Sequence, residues 1–294
     1  MTSKLEDGDW DILLRRIKDG KCTPFLGAGV NAGLLPLGAD IAKKWAAHYH
    51  YPLEDSWDLA RVAQFLAVRR RDSMFPKEEA IKELSNVGPP DFTKQALPHG
   101  ILADLPLPVY LTTNYDDFMA MALRSRNKSP QVEVCRWNDS LQSETSVFSS
   151  PAGFQPTVGN PLVYHLHGHQ DRIESLVLTE DDYLDFLVCI SRDQTLLPPR
   201  VERALTGASL LFIGYRLADW NFRVIFRGLV TNKPVSQRRI SVAVQLPPAV
   251  TDVEQNAQKY LTEYFDDIKV RVYWGTADEF IAELRTRWAA FSTT

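Results

Sequence analysis

Phe25-Leu26-Gly27-Ala28-Gly29 is an apolar run that ends in a glycine turn, and it sets the fold class. Such a run is typical of a buried parallel strand that leads into a helix. The missing Cβ atoms of Gly27 and Gly29 let backbone N–H groups approach a pyrophosphate at the helix N-terminus. The alternative is that both glycines only permit a tight turn. The stretch predicts a nucleotide-binding strand and turn.

Two more apolar runs end in polar motifs further along the chain. Val109–Leu111 leads into Thr112-Thr113-Asn114-Tyr115-Asp116, and Leu162–Tyr164 leads into His165-Leu166-His167-Gly168. In an open α/β sheet, residues just past the carboxyl ends of the strands line the ligand crevice. The order of the three motifs therefore predicts one crevice formed by all of them.

Strands and helices alternate from Val109 onward, which is typical of parallel βαβ units. We predict an α/β fold with a Rossmann-like, doubly wound parallel sheet. The long segment 138–160 has little periodicity and is a candidate lid over the site. The predicted strands cover residues 23–26, 109–113, 131–136, 162–166, 209–213, 240–244 and 268–273. The predicted helices among them cover residues 115–124, 180–192, 219–230 and 277–290.

Composition excludes several classes of protein. The 294 residues are 45% hydrophobic and carry a net charge of −4, so there is no overall basic footprint of a nucleic-acid binder. No apolar run approaches the roughly 20 residues that cross a bilayer, and no leader is evident, so we expect a cytoplasmic protein. The three cysteines, Cys22, Cys135 and Cys189, are far apart, which predicts neither a disulfide framework nor a zinc site.

A fourth motif, Phe212-Ile213-Gly214-Tyr215-Arg216-Leu217-Ala218-Asp219-Trp220-Asn221, completes a family pattern. With it, the chain from about Cys22 to about Phe280 resembles the sirtuin-like domain, in the bacterial branch that hydrolyses NAD in antiphage defence. The resemblance implies one domain over residues 1–294 with a helical insertion at about 37–105. It also implies an NAD+ glycohydrolase that uses NAD as substrate, needs no metal, and acts by NAD depletion.

The resemblance assigns roles to individual residues. His167, which precedes Gly168, matches the catalytic histidine of the sirtuin His-Gly pair. Asn114 matches the asparagine that orients water and ribose, and Thr113 stands where the family has a glutamine. Binding of NAD is assigned to Gly27, Ala28, Gly29, Val30, Asn31, Thr113, Asp116, Gly214, Asp219 and Asn221.

Several structural alternatives stay open at this point. Asn114 and Asp116, like Asp219 and Asn221, are also ordinary residues for the start of a helix. His165 and His167 share one face by the two-residue period of a strand, so spacing does not choose between them. The acidic run Glu180–Asp182 is predicted to begin a helix rather than to bind metal.

The resemblance also bears on partners and on competing functions. Sirtuin deacylases carry a four-cysteine zinc module that this chain lacks, which disfavours protein deacylation. We expect a homo-oligomer and, by resemblance, a HerA-type hexameric ATPase partner, with nucleic acid met only through that complex. The alternative function is a nucleotide-binding assembly subunit of an ATPase or nuclease defence complex, with weak or no catalysis of its own.

Overall fold

The computed structural model describes residues 5–93, 97–143, 145–149, 153–193, 196–216, 238–246 and 252–293. Seven strands form one sheet in the order β3-β4-β2-β1-β5-β6-β7, and every neighbouring pair is parallel. The doubly wound parallel sheet predicted from the sequence is therefore confirmed. The strands are β1 Cys22–Leu26, β2 Val109–Thr112, β3 Gln131–Val134, β4 Leu162–His165, β5 Ser209–Ile213, β6 Ser241–Gln245 and β7 Val270–Trp274.

Helices connect the strands and cover both faces of the sheet. They are α1 Asp7–Lys18, α2 Gly38–Tyr49, α3 Leu59–Arg70, α4 Phe75–Ser85, α5 Pro98–Asp104, α6 Phe118–Arg124, α7 Asp139–Gln142, α8 Glu180–Arg192, α9 Pro199–Gly207, α10 Asp252–Asp266 and α11 Ala277–Ser292. Short 3-10 turns lie at Ala28–Asn31 and Ile173–Ser175. In the described part of the chain, no helix has the length and apolar character needed to cross a membrane.

Two hydrophobic clusters form the core, one on each side of the sheet. Neighbouring strand residues alternate between them: Leu26 faces the cluster of α1, α5, α6 and α11, while Phe25 faces the cluster of α8, α9 and α10. Every residue of β1 is buried, as expected for a central parallel strand covered on both faces.

The strand order reverses at β1, which has β2 on one side and β5 on the other. In an open sheet, the crevice outside the carboxyl ends of the strands at such a reversal is where ligands bind. The glycine turn follows β1, the Asn114 motif follows β2, and Gly214 follows β5. The fold thus places three of the motifs at this reversal, with the fourth beyond β4, next to β2.

The predicted element bounds need some corrections. The helix after β2 begins at Phe118, because residues 113–117 form the turn that carries the polar motif. β4 ends at His165, so His167 lies in the following turn and not on the strand. Helices α5, α7, α9 and α10 were not predicted individually from the sequence, and α7 lies within the segment 138–160 that was expected to form a loop. The predicted helix at 219–230 lies outside the described residues.

The region of the predicted insertion is helical. α2, α3 and α4 pack on one another around buried Trp45, Val62 and Leu66, and form a third hydrophobic cluster. α5 instead packs on α6 against the sheet. The boundaries of the insertion, at about 37 and 105, stay a prediction. We call α2, α3 and α4 the helical insertion.

Candidate active site

The turns after β1 and β5 touch through their backbones. The N–H groups of Gly27 and Gly29 donate to the carbonyl oxygens of Ile213 and Gly214, each over 2.9 Å. Gly214 has a φ of +84°, and a Cβ there would lie 2.5 Å from the Gly27 carbonyl oxygen. Ideal Cβ atoms on Gly27 and Gly29 would lie 2.8 and 2.9 Å from Gly214 atoms. Packing of the two turns therefore requires glycine at these positions with or without a ligand.

Asn114 is held from three sides at the end of β2. Its Nδ2 donates to the Gly27 carbonyl oxygen over 3.2 Å, and its own N–H donates to Thr112 Oγ1 over 2.9 Å. Its carbonyl oxygen accepts from His165 Nδ1 over 2.9 Å. The candidate catalytic asparagine is 9% exposed. Such cross-bracing gives it a fixed position relative to the glycine turn.

Asn31 and Asp116 form a buried pair next to Asn114. Asn31 Nδ2 donates to Asp116 Oδ2 over 2.7 Å, and the other carboxylate oxygen accepts from the Phe118 N–H over 3.0 Å. The second bond braces the start of α6. Asp116 therefore also has the structural role, at the start of a helix, that its place in the sequence left open. Burial raises the pKa of Asp116, although these two hydrogen bonds oppose the rise. Asn31 Oδ1 is buried without a hydrogen-bond partner among the described residues.

Thr113 joins the β2 turn to the β5 turn. Its hydroxyl lies 2.7 Å from the Tyr215 hydroxyl, which donates to the Leu26 carbonyl oxygen over 2.9 Å. Burial raises the pKa of Tyr215 far above its ordinary value, so the phenol stays protonated. Sequence reasoning did not assign Tyr215 to the site, although its place directly after Gly214 was a usable signal.

His167 lies in the turn beyond β4, enclosed by aromatic side chains of α8. Its ring centre lies 5.2 Å from that of Tyr183 and 5.1 Å from that of Phe186, both edge-to-face. Burial lowers the pKa of His167 to about 3, so the imidazole is neutral at physiological pH. Its Nε2 is buried and has no hydrogen-bond partner among the described residues.

His165 and His169 form a second group on the other side of that turn. Because a carbonyl oxygen only accepts, His165 Nδ1 must carry the proton in its bond to Asn114. The His165 and His169 rings lie 4.7 Å apart, and His169 Nε2 is 3.6 Å from Asp117 Oδ1. Burial, and secondarily His169, lowers the pKa of His165 to about 3. His165 therefore supports the backbone of Asn114, and sequence spacing alone could not show this.

A pocket of about 150 Å³ opens beside the Asn31–Asp116 pair. It is lined by Leu35, Leu84, Ser85, Val87, Pro89, Asp116, Asp117, Phe118, Met121 and Gln170. Within the described ranges, no group of three or more His, Cys, Asp or Glu side chains could hold a metal ion. Two of the predicted NAD contacts, Asp219 and Asn221, lie outside the described residues.

The chain matches the model of a known domain family. The model of the SIR2-like domain family matches residues 108–272, which include the motifs after β2, β4 and β5. The chain belongs to the SIR2-like domain family. This SIR2-like chain also aligns with a solved chain from work on the mechanism and regulation of Sir2 enzymes. The alignment covers 99% of the SIR2-like chain at 11% identity and a TM-score of 0.45.

Curated relatives of this SIR2-like chain carry the name NAD(+) hydrolase ThsA. The protein from Cytobacillus dafuensis is 26% identical over 70% of this chain, and that from Acinetobacter baumannii is 23% identical over 78%. The protein from Enterococcus faecium is 31% identical over 43% of this chain. The SIR2-like chain spans 37%, 43% and 23% of the lengths of these relatives, respectively.

Proposed function

We propose that this SIR2-like protein is an NAD hydrolase of antiphage defence, which cleaves the bond between nicotinamide and ribose. The observation that carries the proposal is the hydrogen bonding among the four motifs at the carboxyl edge of the sheet. The bonds run from Asn114 to Gly27, from Asn31 to Asp116, from Gly29 to Gly214, from Thr113 to Tyr215 and from His165 to Asn114. The names of the ThsA relatives support the same activity.

The chemistry needs little covalent help from the protein. The bond from the anomeric carbon to the nicotinamide nitrogen breaks, and its electron pair leaves with neutral nicotinamide. A water oxygen bonds to the same carbon, which passes through an oxocarbenium-like state, and a proton of that water is released. Asn114 orients the water and the ribose, and the rigid hold on its backbone and side chain limits the loss of orientation in the transition state.

His167 takes the proton from the attacking water in this proposal. A base must be neutral before it acts, and burial keeps His167 neutral in the free protein. The same burial opposes protonation, so the pKa must rise when NAD binds. The negative phosphates of the dinucleotide supply charge of the sign that raises the pKa of an imidazole.

The pocket beside Asp116 is the proposed place for the nicotinamide ring. Its volume of about 150 Å³ is comparable with an apolar protein cavity that admits benzene. Leu35, Phe118 and Met121 supply apolar walls, while Asp116 offers a polar group for the carboxamide. A carboxylate oxygen of Asp116 can accept a hydrogen bond from the amide group of the carboxamide.

The test is release of nicotinamide and ADP-ribose from NAD by the wild-type protein and by Asn114→Ala, His167→Ala and His48→Ala. His48 lies exposed on α2, so His48→Ala is a matched histidine control. We expect the first two variants to lose turnover by at least about 100-fold while they remain folded by circular dichroism. Turnover that survives both substitutions would refute the assigned site.

The partners are part of the proposal and rest on the family resemblance. An enzyme that depletes NAD must be held inactive until infection, and a homo-oligomer or a HerA-type ATPase ring would supply that control in the cytoplasm. Native mass spectrometry of the protein alone and mixed with a co-encoded ATPase measures both assemblies. Tight NAD binding without turnover in either state would favour the alternative, an assembly subunit.

A further inference from the structure

The acidic run at the start of α8 meets the helical insertion side chain by side chain. Helix α8 also carries the aromatic pair that encloses His167, so the helix that makes these contacts is the one that packs against the candidate base. The three pairs are Arg61 with Glu180 at 3.2 Å, Gln64 with Asp181 at 2.7 Å, and Lys77 with Asp182 at 2.8 Å.

Burial separates one of these pairs from the others. The Lys77 and Asp182 side chains are 6% and 14% exposed, whereas Arg61 and Glu180 are 51% and 47% exposed. Exposed ion pairs contribute little because water screens them, but a buried pair holds its two elements in one geometry. The Lys77–Asp182 pair is therefore the contact that can fix α8 relative to α4.

Asp182 links Lys77 to the backbone at the start of α8. Its second carboxylate oxygen accepts from the N–H groups of Leu178 and Thr179 over 3.1 and 2.9 Å, and its own N–H donates to Thr179 Oγ1. Tyr183 is the next residue, and Phe186 follows one turn later. The carboxylate that binds Lys77 thus also closes the capping box that sets the helix start.

A second route leads from Lys77 to the same aromatic side chains. Lys77 Nζ lies 5.7 Å from the centre of the Trp137 ring. Trp137 in turn meets Phe186 edge-to-face at 6.4 Å. Lys77 therefore contacts both Asp182, which sets the start of α8, and Trp137, which packs against Phe186 beside His167.

We infer that Lys77 is a positioning residue for NAD hydrolysis: from α4 it fixes the start of α8, and with it the aromatic pair that encloses His167. The inference rests on the proposed function. It gives the helical insertion a task at the site, since the contact from α4 holds the environment of the candidate base.

The test compares Lys77→Met, Lys77→Met/Asp182→Asn and the matched surface variant Arg61→Met. The double variant removes the stranded charge but keeps an oxygen for the two backbone N–H groups, so it separates positioning from folding. Two quantities are measured for each protein: kcat and KM for NAD, and the titration of the His167 imidazole by NMR, identified by comparison with His167→Ala.

We expect both Lys77 variants to lose kcat by about 10- to 100-fold with KM for NAD nearly unchanged. The His167 titration should shift upward as water reaches the ring, and Arg61→Met should match the wild type in both measurements. Recovery of both quantities in the double variant would show that only the stranded charge mattered, which overturns the inference. The His167 titration decides the inference even if the wild-type protein does not cleave NAD, so failure of the proposed function is seen separately.

Discussion

Gly214→Ala tests the backbone contact between the β1 and β5 turns. The residue has a φ of +84°, where an L side chain is strained, and its added Cβ would press on backbone atoms of Gly27, Gly29 and Val30. Backbone atoms of a turn that is hydrogen-bonded to its neighbour cannot move aside as the end of a flexible side chain would. Gly33 provides a matched control, because its φ is +78° and an added Cβ would meet nothing within 4 Å.

The two variants share one cost and differ in another. A left-handed conformation costs an alanine about 1–2 kcal/mol, and reduced freedom of the unfolded chain returns about 0.4–1 kcal/mol. We therefore expect Gly33→Ala to lower the free energy of unfolding by about 1 kcal/mol. Overpacking adds about 1–3 kcal/mol, so Gly214→Ala should lose about 2–4 kcal/mol.

The assay is urea unfolding followed by tryptophan fluorescence and far-UV circular dichroism, with stability taken from the midpoint and slope. Because Asn114 Nδ2 bonds to the Gly27 carbonyl oxygen, Gly214→Ala should also impair NAD cleavage, whereas Gly33→Ala should not displace this bond. Equal losses of stability in the two variants would refute the close contact as the reason for glycine at position 214.

Two further predictions concern buried side chains. Burial lowers the pKa values of His99, His165 and His167 to about 4, 3 and 3, below the ordinary value of about 6.5, so the unfolded chain binds protons that the folded chain does not. The free energy of unfolding should therefore fall as pH drops from about 6.5 to 5, by up to about 1.4 kcal/mol per pH unit for each histidine. Urea unfolding at several pH values in this range measures this fall, and the free energy of unfolding of His99→Leu should change less with pH than that of the wild type. Tyr215→Phe removes the hydroxyl shared by Thr113 and Leu26 and should cost about 1 kcal/mol, while Tyr260→Phe, at an exposed ring, should leave the urea midpoint unchanged.

The sheet could be predicted from sequence because its signals are local. Most strands are short apolar runs bounded by turn residues, whereas β3 alternates polar and apolar residues, and all seven predicted strands are present with bounds that differ by at most two residues. Helices α9 and α10 were missed. Both helices carry apolar residues at helical spacing, Val201, Ala204 and Leu205 in α9 and Leu261, Tyr264 and Phe265 in α10, so the signal was present in the sequence and was overlooked.

The neighbours of the candidate site could not be predicted, because they come from distant parts of the chain. Tyr215 meets Thr113 across 102 positions, and Lys77 meets Asp182 across 105. No local pattern marks either pair. The acidic run was correctly predicted to begin a helix, but its three partners in the helical insertion are visible only in the folded chain.

The two histidines of the His165-Leu166-His167-Gly168 motif show what a period of two cannot decide. β4 ends at His165, whose ring donates to the Asn114 carbonyl oxygen and is thereby committed to the backbone. Two residues later the chain has left the sheet, and the His167 ring lies against α8 instead. Their surroundings differ: His165 holds the asparagine in place through Nδ1, whereas the His167 ring packs against the aromatic side chains of α8. Each ring keeps a buried Nε2 without a hydrogen-bond partner among the described residues. A proton acceptor for substrate chemistry needs an uncommitted nitrogen on a fixed ring, and both rings meet this condition. The proposed choice of His167 as the base therefore rests on its place before Gly168 in the family motif.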